Sequence, residues 1–514
     1  MGAVVNDSLE IQDLLTLQSG DLLIGNLLTM KKEASIGASA EGTSIKGLIK
    51  VNYPVPGKKR QYQMTSHPFA HTIPLQSMIN YVDITGNLLT DSQFSVSPLQ
   101  LPSAFKLVGS TTEIGGEKLN WQPFTSLQGS SANGWNPTEG IAWLLRGKKG
   151  EGLDDATNWL QSEQQIKEEI IIPFAGFINT GDQEIKFSDT TRGLRILGNP
   201  YLSAINTALL NLSDSIAPFY WKWNLTQGIS GGFTCHPFTE NNIIPAFGSM
   251  LIQLRGNTNE KRILIPEKAK IRGTTLSLFD ESDTAQKMII DWLRDSLFID
   301  QITLRENQRA QSGFDVHDGI KIKNPSHNFF LTTYDQQFLS YDQRPFNINS
   351  RFQLGIQDAS VGKYQLKVKR LNWRKAFGWQ LTDNYSGNWY PLSQDTTIDF
   401  YVTPDSLSQG KNRFSILMPE SFSNAPNSIM RPLLRIWPVP AGEKIHVGCL
   451  IWPKDEINIS LFNQLGQLVK SLKLPVPPEK SIEIKVDELP RGIYQLVIKN
   501  SKQTFQAMGS WLKN

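Results

Sequence analysis

The feature that most constrains this chain is how short its apolar runs are and what separates them. Between residues 7 and 51, apolar pulses at Leu9 and Ile11, 14–17, 22–24, 27–30, Ile36, Ile45 and 48–51 are punctuated by Gly20, Gly25, Gly37, Gly42 and Gly47. Pulses closed so soon by glycine are too short for helices and suit small stacked strands. Beyond the turn residues Pro54, Pro56 and Gly57, strand-like runs continue at 61–64, 79–84, 105–108, 141–145, 170–177, 194–197 and 250–254, with Gly, Pro, Asn and Ser clusters between them. From 319 to 417 apolar and polar residues alternate, as in Gly362-Lys-Tyr-Gln-Leu-Lys-Val-Lys, which marks strands with one packed and one wet face. Two segments, 155–169 and 282–294, also fit an amphipathic helix, the second through Met288, Ile289, Trp292 and Leu293. The expected class is all-β: tandem β-sandwich domains, a short stacked-strand N-terminal unit and a C-terminal immunoglobulin-like sandwich.

A chain of 514 residues exceeds what one core supports, so several domains follow. The reading is a stacked-strand unit at 1–57, a β-sandwich at 58–275, a second at 276–420, a linker at 421–432 rich in Ser, Asn and Pro, and a last sandwich at 433–514. The +3 formal charge arises from 51 basic and 48 acidic residues spread along the chain, so no footprint for nucleic acid stands out. Cys235 and Cys449, far apart in sequence, exclude a disulfide framework and read as two buried free thiols. The longest apolar stretch, 170–178, is broken by Pro173 and Gly176 and falls far short of the roughly 20 residues a membrane helix needs. The opening Met-Gly-Ala-Val-Val-Asn-Asp has no charged-then-apolar leader pattern, so the chain either stays inside or had its leader replaced by a start methionine.

Catalytic signatures rest on spacings that geometry demands, and most are missing: no phosphate-binding glycine loop, no His-Glu-x-x-His, no paired Cys-x-x-Cys. Gly228-Ile-Ser-Gly-Gly places Ser230 in the spacing of a nucleophile elbow, yet the flanks, Trp221-Lys-Trp and Gly232-Phe-Thr-Cys, read as antiparallel strands joined by a hairpin. His67 and His71 have zinc-like spacing, but Pro68 and the extended surroundings favour a structural pair. Asp154-Asp155 and Glu168-Glu169 read as solvated surface. Asp280 with Asp283 and Asp315 with Asp318 offer too few oxygens for calcium. Lys58-Lys59-Arg60 reads as a soluble turn. No cofactor and no metal are expected. Trp221 with Trp223, Trp373 with Trp379, and Trp389 with Tyr390 either fill cores or stack on sugar rings, and core filling is the default.

The last segment carries a specific resemblance. Arg435-Ile-Trp-Pro-Val-Pro-Ala-Gly-Glu-Lys-Ile-His-Val, Ile457-Asn-Ile-Ser-Leu-Phe-Asn-Gln-Leu-Gly-Gln-Leu-Val and Val486-Asp-Glu-Leu-Pro-Arg-Gly-Ile-Tyr-Gln-Leu-Val-Ile resemble, in order, the three blocks of the type A sorting domain of the type IX secretion system. The matching positions are Pro438, Pro440, Gly466, Gly492 and Tyr494; Val439 departs from the family's Asn, and the final Ala507-Met-Gly-Ser-Trp-Leu-Lys-Asn replaces a short basic tail. Upstream, Gly193-Leu-Arg-Ile-Leu-Gly-Asn-Pro-Tyr-Leu-Ser-Ala-Ile-Asn and Ile244-Pro-Ala-Phe-Gly-Ser-Met-Leu-Ile look like segments of Bacteroidota surface proteins that carry this domain.

The resemblance implies a secreted or cell-surface location, the type IX secretion machinery as partner, and no catalytic residues. The leading expectation is a non-enzymatic structural or adhesive protein (an adhesin), in contact with surface glycans or other surface proteins. One alternative is a glycan-binding protein that uses Trp373, Trp379, Trp389 and Tyr390 as exposed platforms; the other is an enzyme whose site is assembled from distant loops.

Overall fold

A computed structural model describes residues 2–25, 27–56, 60–129, 133–151, 168–188, 193–256, 260–272, 284–347, 350–372, 379–417, 434–437, 441–449, 452, 456–475, 481–500 and 506–513. The chain divides into two compact units: Met1–Phe346 with Phe352–Trp373 and Asp395–Arg413, and Asn347–Arg351 with Arg374–Gln394 and Phe414–Asn514. Among the described residues the regular elements are strands and single 3-10 turns, so the all-β expectation holds.

The first unit opens on the stacked strands read from the glycine spacing. Ala3–Val5, Leu22–Ile24 and Ile45–Lys46 form one parallel ladder, Leu9–Ile11, Leu28–Met30 and Ile49–Pro54 a second, and Leu14–Leu15 with Ser35–Ile36 a third. The first two passes of the chain thus each contribute one short strand to every ladder and the third pass one to each of the first two, as in a solenoid. Leu22, Leu28, Met30, Ile36, Ile45 and Ile49 point inward and are buried. The last pass hands the core on, because Ile49–Pro54 also pairs antiparallel with Ile171–Gly176.

Antiparallel sheets follow. One runs Gly116–Pro123, Ala104–Glu113, Ile141–Leu145, Gln61–Thr65; another runs Gly193–Gly198, Ser249–Leu254, Ile216–Asn224, Gly232–Pro237. The strand expected at 79–84 is instead a run of turns. It follows the 3-10 turn Leu75–Ser77, and Val82 N–H reaches back to the Met78 carbonyl at 3.1 Å. Met78 and Val82, four apart, are both buried, so the apolar spacing serves one side of a coil and not a pleat.

The segment at 282–294 resolves as a strand, Lys287–Arg294. Met288, Ile290 and Trp292 alternate into the core, and the strand is paired on both sides, by Leu297–Glu306 and Gly362–Leu371. The hairpin turns on Asp295 and Ser296, with φ of 48° and 67°, the left-handed pair that a two-residue loop requires. The other ambiguous segment, 155–169, lies almost wholly outside the described residues.

In the second unit, Trp389–Pro391, Gln380–Asp383 and the end of Gly410–Leu417 form a small antiparallel array. Beyond it, two sheets face each other: Leu434–Trp437, Lys444–Cys449, Ile482–Lys485, and Leu468–Leu474, Ile457–Phe462, Gly492–Asn500, Gln506–Lys513. Ile445, Val447, Ile457, Ile459, Leu461, Ile484, Leu496 and Ile498 close a core of their own between them. The linker at 421–432 lies outside the described residues.

Candidate functional site

The three sequence blocks near the C-terminal end each encode a piece of this last sandwich. Gly466, with φ of 75°, lies in the turn between Ile457–Phe462 and Leu468–Leu474, where its N–H donates to the Asn463 carbonyl at 2.9 Å. Asn463 Oδ1 accepts from both Leu465 N and Gln467 N at 3.0 Å, which locks the loop. Leu489 and Tyr494 are buried, and the Tyr494 hydroxyl donates back to the Pro490 carbonyl at 2.7 Å. That bond ties the entry of the Gly492–Asn500 strand to the loop before it, the arrangement called a tyrosine corner. Trp511, in the atypical tail, stacks on Tyr494 at 5.2 Å from within the last strand, so the tail completes the core. Pro438 and Pro440 lie outside the described residues. Removing the hydroxyl in Tyr494→Phe is expected to cost about 1 kcal/mol, read as a lower denaturation midpoint of the sandwich with its near-ultraviolet dichroism kept.

The residues considered for chemistry are otherwise employed. Ser230 lies in the loop joining Ile216–Asn224 to Gly232–Pro237, an antiparallel pair, and not at a strand-to-helix elbow. His67 is fully buried; its Nδ1 accepts from Phe69 N at 3.3 Å, so Nε2 donates to the Trp135 carbonyl at 2.9 Å, and burial holds its pKa down at about 4. His71 is exposed. Asp315 accepts from Gln311 N and His317 N, while Asp318 accepts from Asp315 N and Gln343 N, so both staple a loop. Burial, with Asp342 and Asp315 adding repulsion, pushes the Asp318 carboxyl up to about 7. Glu168 pairs with Lys148 and Glu169 with Lys32, in different directions. Burial pushes the free thiol of Cys235 well up. Arg60 corrects the soluble-turn reading, since it is buried, while Lys58, Lys59, Asp154, Asp155, Asp280 and Asp283 lie outside the described residues.

The aromatic candidates separate. Trp221 is buried and donates to the Ile320 carbonyl at 2.9 Å. Trp379 is 1% exposed and offers no free face, Trp389 and Tyr390 are half-buried on the terminal strand Trp389–Pro391, and Trp373 lies outside the described residues.

The first unit contains a cleft that, of those candidates, Trp223 alone reaches. It encloses about 480 Å³, lined by Tyr62, Met64, Phe105, Leu119, Trp121, Ala142, Trp223 and Phe233, with Glu113, Lys118, Lys323, Asn324, Pro325 and Asp358. Its floor is one face of the sheet that carries Met64 opposite Ala142 and Ala142 opposite Phe105. On the neighbouring strand, Leu119 and Trp121 are two residues apart and so share a side. Tyr62, Phe105, Trp121 and Trp223 are all half-exposed.

One wall is the segment 321–325, zipped to Gly116–Pro123 by Glu117 N donating to the Lys321 carbonyl at 2.7 Å and Lys323 N donating to the Glu117 carbonyl at 2.8 Å. Gly116 makes this approach possible: at φ of 134° a Cβ would sit 2.5 Å from the Lys321 oxygen. A chain of charges crosses the rim, Lys118 to Glu113 at 3.3 Å, Glu113 to Lys323 at 3.2 Å and Lys323 to Asp358 at 3.7 Å. Hydrogen bonds from Lys323 and then Lys118 hold the Glu113 carboxyl below its ordinary range. The one local signal for the cleft is the alternation of Leu119 and Trp121, which lies outside the strand-like runs identified from the sequence; the cleft's other walls come from strands and loops distant in sequence.

Residues 435–508 match the family described as the secretion system C-terminal sorting domain. They coincide with the sandwich of the second unit, so the chain carries a type IX secretion sorting domain, which addresses it for secretion or the cell surface. No curated protein matches the chain in sequence. Among solved structures, it is similar to dimeric latent PorU from Porphyromonas gingivalis, at 11% identity over 70% of this chain and 36% of that one, with a TM-score of 0.15. It is also similar to the BSP domain of a biofilm associated protein, at 9% identity over 92% of this chain and 98% of that one, again with a TM-score of 0.15. The chain thus spans about a third of PorU.

Proposed function

We propose that this chain, which carries a type IX sorting domain, is a non-catalytic structural or adhesive protein displayed at the surface of the producing cell. The observation that carries the reading is the match of residues 435–508 to the sorting-domain family, on a sandwich with its own closed core. A unit that closes its own core presents a folded, separable recognition surface to an export machine. Its three-stranded sheet Leu434–Trp437, Lys444–Cys449, Ile482–Lys485 facing a four-stranded one, with the tyrosine corner, supports an immunoglobulin-like sandwich. The upstream unit supplies all-β scaffolding, in which Ser230 and His67 hold structural positions.

The test is immunoblotting of fractionated cells of the native producer, with and without a working type IX system, using antibodies raised against residues before 425. Surface or medium protein that depends on the system is the expected result. Full-length protein retained in the cytoplasm of both strains refutes the export reading and leaves the last sandwich as an assembly domain.

A further inference from the structure

We infer that the cleft of the first unit is a binding site for a neutral saccharide. The inference is independent of export, since it concerns the purified chain and a different unit.

Four half-exposed rings, Tyr62, Phe105, Trp121 and Trp223, open into one space of about 480 Å³, within the size range of small-molecule sites. Tyr62 and Phe105 pack as a tilted pair, 6.1 Å apart between centroids, and both line the space. A pyranose has an apolar C–H face and a polar edge, which aromatic walls with hydrogen-bonding groups at the rim complement.

Trp223 is held as a platform before any ligand arrives. Its Nε1 donates to the Tyr62 carbonyl at 2.9 Å, and Phe233 meets the ring edge-on at 4.9 Å. Behind it stands Gly231, at φ of 88°, where a Cβ would come within 2.4 Å of the indole. A ring fixed on three sides loses little freedom on binding.

Asn324 supplies the second, independent observation. It is 6% exposed and lines the cleft, yet its Nδ2 has no hydrogen-bond partner among the described residues. The amide cannot flip to escape this, because its Oδ1 accepts from Phe233 N at 2.8 Å. A buried donor held unpaired is unfavourable unless an oxygen comes to it, and a ligand hydroxyl or ring oxygen is such a group.

Charge selects the class. Lys118, Glu113, Lys323 and Asp358 form one compensated chain with two groups of each sign. The rim therefore presents donors and acceptors for hydroxyl groups and no uncompensated charge for a phosphate or a sugar acid.

The experiment is isothermal titration of the full chain with maltotetraose, cellotetraose, xylotetraose, mannotetraose and tri-N-acetylchitotriose. Sialyllactose, oligogalacturonate and AMP serve as charged probes. At least one neutral oligosaccharide is expected to bind, and Trp121→Ala and Asn324→Asp to weaken it at least tenfold with the thermal unfolding midpoint of Trp121→Ala unchanged. Trp121 is half-exposed on the sheet, so that variant tests the site without loss of core. The inference is overturned if no neutral oligosaccharide binds, if only sialyllactose, oligogalacturonate or AMP binds, or if Trp121→Ala binds as tightly as the parent.

Discussion

Asn199→Ala is expected to lower the stability of the first unit by about 3–5 kcal/mol and its thermal midpoint by roughly 4–6 °C. The reason is the number of backbone groups that one side chain satisfies. Asn199 is fully buried, and its Nδ2 faces the carbonyls of Ser203 at 2.8 Å, Pro245 at 2.9 Å and Ile244 at 3.2 Å. Its Oδ1 accepts from Tyr201 N at 3.0 Å. The side chain thereby pins the turn after Gly193–Gly198 to the stretch that leads into Ser249–Leu254. The Tyr201 hydroxyl adds its single donor between the carbonyls of Gly181 at 2.8 Å and Ile265 at 2.7 Å. Alanine removes both donors and the acceptor, leaving several buried groups unpaired, each worth about 1–3 kcal/mol. Asn199→Asp separates this from simple loss of volume. It keeps the acceptor for Tyr201 but turns an oxygen toward three carbonyls, so it is expected to cost at least as much as alanine. Urea unfolding followed by tryptophan fluorescence reads both. If either variant lies within 0.5 kcal/mol of the parent, roughly the scatter of neutral surface changes, the side chain is not the staple described.

That asparagine also shows what the sequence could convey. Gly198-Asn-Pro-Tyr stood out as a surface-protein hallmark, but its meaning became visible only when Ile244 and Pro245, more than forty positions away, were brought against it. Local signals were read well where the cause is local. Glycines at close spacing gave the stacked strands of 3–54, and the alternation of Met288, Ile290 and Trp292 decided strand over helix once burial was known. At 79–84 Ile, Tyr and Val favour a strand, whereas hydrogen bonds back to Met78 and Gln76 curl the chain there. The sorting domain was legible since its marks are short-range: the turn at Gly466 and the Leu489 to Tyr494 corner lie within single blocks. The cleft was not, because its aromatic side chains are placed by register. Of the paired tryptophans, Trp379 is buried and Trp223 reaches the cleft, while Tyr62, Phe105 and Trp121 meet there only after four strands have paired.

The wall of that cleft rests on a buried ion pair, and breaking the pair is the second change expected to be severe. Lys321 Nζ lies 2.6 Å from Asp300 Oδ2, with side-chain exposures of 0% and 1%. Asp300 further accepts from Phe329 N at 2.8 Å, Gln301 N at 2.9 Å and Gln227 Nε2 at 3.3 Å, so the carboxylate is satisfied on every side. Asp300→Asn keeps the shape and the acceptor but leaves the Lys321 ammonium without its counter-charge, at an expected cost of about 3–5 kcal/mol. Lys321→Met is expected to behave differently with pH. Burial already pushes the Asp300 carboxyl upward while Lys321 opposes the shift, so removing the lysine raises the folded-state pKa further above the unfolded value. A carboxyl shifted that way binds its proton more tightly when folded, so the variant's deficit is largest near neutral pH and shrinks as pH falls through the folded value toward the unfolded one. The double variant, with Asn at 300 and Met at 321, removes both charges and retains an acceptor for the backbone donors. It is expected to recover most of the stability lost in Asp300→Asn. Because the Lys321 carbonyl receives Glu117 N–H and the chain continues into Lys323 and Asn324, the single variants are also expected to speed amide exchange at 321–325. Single variants that each cost under about 1 kcal/mol, or a double variant whose loss is the sum of the two, would show that the pair does not anchor this wall.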